Sequence, residues 1–270
     1  MAEIRTPLIH HGGKWNMAKH IIARFPEHRI YVEPFCGSCA VLLQKPKSFV
    51  EIVNDKDDVI VEVFKALRDH PLELAAKLWA MPYAKRNWKE PVIDDLEAAA
   101  LTIAKAKQHY VGSQRTSTFS IDATPAAHKP KADVWGEWHE RVIPAAIRLK
   151  TVQILCEDAV DVIQRFADNE HALIYIDPPY VGHEKEYRLT VDYQALIGAC
   201  LNAKAKIVVS EFAEGEKYWP ADWRRETIQT TGRSKTGRHG KAKVNTEYLI
   251  FNFAPTGKQS HGADRGSDAT

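Results

Sequence analysis

Six short runs of apolar and β-branched residues, separated by stretches of helical period, constrain this chain more than any other feature. Ile30 to Phe35, Phe49 to Asn54, Val152 to Cys156, Ala172 to Asp177, Ala205 to Ser210 and Glu247 to Phe253 read as strands. Most of them lack polar alternation. A strand with one wet face alternates and one buried on both faces does not, so the pattern predicts a parallel sheet covered on both sides. Between the runs, Asp57 to Arg68 places Val59, Val63, Phe64 and Leu67 on one side of a helix. Asp161, Val162 and Phe166 belong to a second helix, Tyr193 to Leu201 form a third, and another begins near Asn16. Strand–helix alternation predicts an α/β, doubly wound fold that holds its ligand beyond the carboxyl ends of the strands.

The rhythm stops between Pro71 and Lys150, where no buried strand is legible. Asp94 to His109 and Asp133 to Leu149 read as helices, so a mainly helical inserted subdomain is expected over 71–150, between the two parts, 1–70 and 151–255, of the α/β domain. The Gly-, Ser- and Asp-rich tail, 256–270, is expected to be disordered. The insertion carries Lys85-Arg86-Asn87-Trp88-Lys89 and Arg115 within Gln114 to Phe119. Cations around an aromatic suit nucleic acid, where the charges meet phosphate and the ring stacks or wedges. They are also common on ordinary helical surfaces. Net charge is only +2, but five Lys or Arg and no acid lie from Gly232 to Lys243, among them Arg233, Lys235, Arg238 and Lys241. Such a run is either a phosphate-contacting loop or a solvated one.

Other classes are set aside by what the chain lacks. Its four cysteines are too scattered for a disulfide framework. Cys36 and Cys39 form a C-x-x-C with no second pair at zinc spacing, so no metal is expected. No apolar stretch approaches the ~20 residues that span a membrane. The first residues carry no signal-peptide core, and a reducing cytoplasm is the expected location.

The sharpest chemical signal is Asp177-Pro178-Pro179-Tyr180, directly after the apolar Ala172 to Ile176. Two prolines make the backbone extended and rigid and remove two N–H donors. A nearby carbonyl and the Asp177 carboxylate then form a pair of acceptors, which is what a planar amino group requires. Tyr180 offers a face for a flat base; the alternative is a buried tyrosine at a proline turn. Glu33-Pro34-Phe35-Cys36-Gly37-Ser38 follows the first strand as a turn of small residues that a ligand can approach. Asp55, after the second strand, suits ribose hydroxyls or a helix N-cap. Asp158, after the third, suits a cofactor's adenine amine or equally a cap. Gly12-Gly13-Lys14 offers backbone freedom and a cation for a carboxylate, without the spacing of a phosphate-binding P-loop.

Together, Gly12-Gly13-Lys14, Glu33-Pro34-Phe35-Cys36-Gly37, Asn54-Asp55, Glu157-Asp158 and Asp177-Pro178-Pro179-Tyr180 resemble the Dam-type DNA adenine methylase family, over about residues 8 to 253. The resemblance implies a Rossmann-like methyltransferase sheet and S-adenosylmethionine as cofactor. It implies an adenine flipped out of duplex DNA as substrate, with a setting in restriction–modification. It would put His10, Lys14, Glu33, Phe35, Gly37, Asp55, Asp158 and Asp177 around the cofactor, Asp177, Pro178 and Tyr180 on the target base, and target recognition in the insertion. Duplex DNA is then the partner, met by Lys85, Arg86, Arg115 and the basic run, and a monomer is the default. Two departures stand out: Cys39 replaces the family's second glycine, and His10 stands where an aromatic is usual. The same two-acceptor chemistry would serve cytosine N4, RNA adenine or a protein glutamine. An inert DNA-binding relative is the reading from another class.

Overall fold

Apolar strands of β-branched residues assemble into one seven-stranded sheet in the order β3-β2-β1-β4-β5-β7-β6. The computed structural model describes residues 4–10, 12–85, 92–108, 119–122, 129–181, 188–232 and 243–254. β1 (Ile30–Glu33), β2 (Val50–Asn54), β3 (Gln153–Leu155), β4 (Ala172–Ile176) and β5 (Lys206–Phe212) are parallel, as the unbroken apolar runs predict. β4 lies in the middle of the sheet and is buried at every position. β7 (Lys243–Phe251) runs antiparallel to β5 and carries β6 (Arg224–Gly232) on its outer edge.

β6 is the strand that sequence reading misses. Arg224-Arg225-Glu226-Thr227 has no apolar run, because an edge strand is pinned by its neighbour's backbone rather than by burial. β7 likewise begins at Lys243, four residues before the apolar run that announces it.

Helices cover both faces. α1 (Ala18–Ile22), α2 (Ala40–Gln44), α3 (Asp58–Asp69), α4 (Pro71–Ala80) and α5 (Asp95–Gln108) come before β3, followed by α6 (Lys131–Gly136), a 3-10 turn (Trp138–Arg141) and α7 (Val142–Leu149). α8 (Ala159–Ala167), α9 (Tyr193–Cys200) and the short α10 (Ala213–Glu216) complete the order. Asp57, Asp158 and Asp192 cap α3, α8 and α9 by accepting from the first-turn amides Val59 N, Val160 N and Gln194 N. On α3, Val63, Phe64 and Leu67 are buried as expected, and Val59 is only half-buried.

The expected single helix from Asp133 to Leu149 is broken into three pieces. Pro144 has no N–H, and its ring would meet the carbonyl of Glu140, so the helix restarts at Val142. The helices from Pro71 to Leu149 share the α3 side of the core: Leu74, Ile103, Trp135 and Val142 belong to the same cluster as Leu42, Val53 and Phe64. A buried ion network fastens them. Arg148 of α7 grips both oxygens of Glu51 on β2, at 2.5 and 2.7 Å, while Lys45 Nζ donates to the same carboxylate at 2.6 Å. Among the described residues no helix is long and apolar enough to cross a membrane, and all four cysteines are free thiols.

Candidate active site

The carboxyl ends of β1, β2, β3 and β4 open into one cavity of about 690 Å³, within the range of small-molecule sites. His10, Lys14, Glu33, Phe35, Gly37, Asp55, Asp158 and Asp177 all line it. Pro178 and Tyr180 are buried behind the wall, and Pro179 reaches the cavity instead.

The turn after β1 is shaped for close approach. Gly37 has φ +46°, and a Cβ there would sit 3.2 Å from His10 Nδ1. Its amide donates to Asp55 Oδ2 at 3.0 Å, while Asp55 Oδ1 accepts from Asp57 N at 2.9 Å. Asp55 is therefore not the helix cap, a role that Asp57 fills. Burial raises the Asp55 carboxyl above its usual range, against the pull of those two amides. Cys39 takes φ 53° and ψ 31°, the left-handed conformation, so the turn keeps the backbone that a glycine would give. Its amide donates to the Cys36 carbonyl at 2.6 Å.

Asp158 caps α8, with Oδ1 accepting from Val160 N at 2.9 Å, and its Oδ2 accepts from Lys56 at 2.7 Å. That contact with Lys56 holds its carboxyl below the usual range. The cap reading holds, and the residue still faces the cavity.

The Asp177-Pro178-Pro179-Tyr180 segment leaves β4 into a cluster of ions. Lys14 Nζ lies 2.9 Å from Asp177 Oδ1 and 3.4 Å from Glu247 Oε1, and donates to the Gly12 carbonyl at 2.8 Å. The carboxylate that Lys14 serves is thus the protein's own. Burial works against its charge, yet the two acids outweigh it and raise its pKa. Tyr180 donates from its hydroxyl toward Asp177 Oδ1 at 2.8 Å and Glu247 Oε1 at 3.1 Å.

The Tyr180 ring corrects one expectation. It is 2% exposed, packs on Phe212 with centroids 4.2 Å apart, and has the Lys14 ammonium 4.8 Å from its centroid. The ring offers no open stacking face here because its hydroxyl anchors it inward on two carboxylates. Its work in this structure is to hold Asp177.

Sequence reading also missed the second layer of this site. Glu247 of β7 and Glu211 of β5 are 3% and 0% exposed, at neighbouring positions of the β5–β7 ladder. Tyr193 joins Glu211 Oε2 at 2.8 Å to the Pro179 carbonyl at 3.0 Å, so the proline pair is braced from α9. Burial pushes Glu211 up to about 7 and Glu33, whose Oε2 accepts from Tyr31, up to about 8. The overlooked signal was an acid inside an apolar strand, a position where carboxylates are seldom buried without a task.

Of the residues expected to meet DNA, Lys85 is exposed beyond α4. Arg86, Arg115, Arg233, Lys235, Arg238 and Lys241 lie outside the described residues, as does the 256–270 tail. Among the described residues no group of three or more His, Cys, Asp or Glu is placed to hold a metal ion.

The amino-acid sequence matches the family of D12 class N6 adenine-specific DNA methyltransferases over residues 10–216, from the cavity's histidine to α10. The chain belongs to that family. No curated protein matches it. One solved structure with some likeness is a SAM-dependent methyltransferase from Agrobacterium tumefaciens, 10% identical, with a TM-score of 0.37. That match covers 88% of this chain and 60% of the other, so the chain spans about three-fifths of that protein's length; a likeness this slight carries no argument.

Proposed function

We propose that this family member methylates N6 of an adenine flipped out of duplex DNA, using S-adenosylmethionine. The observation that carries the reading is Asp177-Pro178-Pro179-Tyr180 at the end of the central strand β4, in the wall of a cavity that Asp55 and Gly37 also line. The residues fit an adenosyl cofactor. Asp55 is a half-buried carboxylate with acceptor capacity beyond its two amide bonds, beside the glycine turn. At Gly13 a Cβ would stand 3.1 Å from the His10 carbonyl, so the wall there is backbone that a ligand can approach closely. Bound in this cavity, the cofactor supplies an electrophilic methyl group on a sulfonium.

The chain's own groups do the rest. Asp177 and the Pro178 carbonyl accept from the adenine amino group, which draws its lone pair out of the ring and directs it. With the cofactor bound, N6 would take the methyl carbon as its bond to sulfur breaks, Asp177 would balance the positive charge that develops on nitrogen, and the extra N6 proton would pass to water. Lys14, Glu247 and Tyr180 hold Asp177 in place, and such preorganisation acts through position and charge. Lys14 and Tyr180 both engage Oδ1 of Asp177, which leaves Oδ2 to accept from the amine. The helices over 71–150 would serve as the target-recognition part, and the enzyme would act as a monomer in the cytoplasm.

The test is transfer of labelled methyl from S-adenosylmethionine to unmethylated duplex DNA, with nucleoside analysis of the digest. Label in N6-methyladenine is expected, together with its loss in Asp177→Ala, which removes the acceptor, while cofactor binding persists. Label in cytosine, or an active Asp177→Ala enzyme, refutes the reading.

A further inference from the structure

Away from the cavity, on the helical side, two half-buried cations converge on one tryptophan. Trp138 is 3% exposed, and its indole N–H donates to the Pro7 carbonyl at 2.7 Å. Arg141 lies 3.4 Å from the ring centroid and Lys107, from α5, lies 4.3 Å from it. Their charged heads are therefore within about 8 Å of each other, inside the ~10 Å screening length at 0.1 M salt. Among the described residues neither makes an ion pair; Arg141 reaches only the Thr6 carbonyl, at 3.3 Å. Nearby Lys131 is different, since Asp122 neutralises it at 2.8 Å.

We infer that Lys107 and Arg141, splayed over Trp138, form a binding site for a phosphodiester of the duplex DNA backbone. Cation–π packing explains why the side chains lie on the ring, but not why two like charges share it without an acid. Burial lowers the pKa of Lys107 and holds Arg141 down at about 10, and each cation's positive neighbours add to the effect. An anion arriving from outside would relieve both. Lys107 keeps its three N–H donors and Arg141 most of its five for phosphate oxygens.

The position suits the task. Thr6, which touches Arg141, is four residues before His10 in the cavity wall, a reach of at most about 14 Å along the chain. A duplex with one base in the cavity would pass within half of its ~34 Å helical turn. Such a contact orients DNA and carries no sequence information.

The inference rests on the DNA reading above, and the salt dependence of DNA binding tests it separately. Affinity of the full chain for a fluorescent duplex is measured from 50 to 200 mM salt. Lys107→Gln should lower the slope of log K against log salt by about 0.9, and Lys107→Gln with Arg141→Gln by roughly twice that. Lys204→Gln, an exposed cation just before β5 and so at the end of the sheet away from the cavity, should leave the slope unchanged. S-adenosylmethionine affinity should match the parent in every variant, which separates a lost phosphate contact from misfolding. Should Arg141→Gln unfold the chain, Lys107→Gln decides alone, since among the described residues the Lys107 side chain makes no hydrogen bond that its loss would break, whereas Arg141 holds the Thr6 carbonyl. A parental slope in a folded Lys107→Gln protein that still methylates DNA overturns this site and spares the parent reading. No salt-dependent DNA binding by the unaltered chain overturns both.

Discussion

Cys39 offers the cleanest measure of how far the turn after β1 is dictated by its backbone. At φ 53° it occupies the left-handed region, where a side chain costs roughly 1–2 kcal/mol relative to glycine. Two replacements separate this strain from everything else at the site. Cys39→Ala and Cys39→Gly both delete the same fully buried thiol and its bond to Cys36, so that loss cancels between them. They differ in the Cβ alone. In ordinary backbone, glycine in place of alanine destabilises by about 0.5–1 kcal/mol through the entropy of the unfolded chain. Here relief of the left-handed strain exceeds that penalty, and Cys39→Gly should be the more stable of the two by about 0.5–1 kcal/mol, or roughly 1–2 °C for a chain of this size. Urea unfolding followed by tryptophan fluorescence reads the difference directly, provided both variants share one m-value. If Cys39→Ala is the more stable, the turn does not require a left-handed residue and the argument fails.

Two further outcomes follow from the buried acids and the tyrosine they hold. Burial lifts the Glu33 carboxyl from 4.5 to about 8, so its contribution to folding is complete below about pH 4.5 and is lost as the pH rises through about 8. Urea stability should decline between about pH 5 and 8 and decline less in Glu33→Gln; an equally steep profile in that variant would count against the assignment. Tyr180→Phe keeps the ring on Phe212 but removes the donor to Asp177 and Glu247, a loss of about 1.5–3 kcal/mol for bonds to charged groups. Stability should fall by that order and the methyl-transfer rate roughly tenfold, whereas an unchanged rate would show that Asp177 needs no help from the hydroxyl.

Local sequence determined the parts of this protein whose physics is local. Ala172 to Ile176 reads as a strand buried on both faces, and Pro178-Pro179 end it stiffly, so the site's place at the end of a buried strand was legible in the sequence, whereas the middle position of that strand in the sheet was not. Asp158 stands directly before a helix, and a cap of that kind follows from neighbours in sequence; the sequence offers the cap of α3 to Asp55, and it is Asp57 instead, because Asp55 is turned to the Gly37 amide. Tertiary structure decided what depends on distant partners. Glu247 comes 70 residues after Asp177, and only the β5–β7 pairing brings it to Lys14 and Tyr180. β6 has no apolar run of its own and exists because β7 offers an unpaired edge. The inward turn of the Tyr180 ring likewise depends on two carboxylates from different strands competing successfully for its hydroxyl. Periodicity and turn chemistry are written in consecutive residues, whereas the charge and hydrogen-bond partners of a buried side chain exist only once remote strands have met.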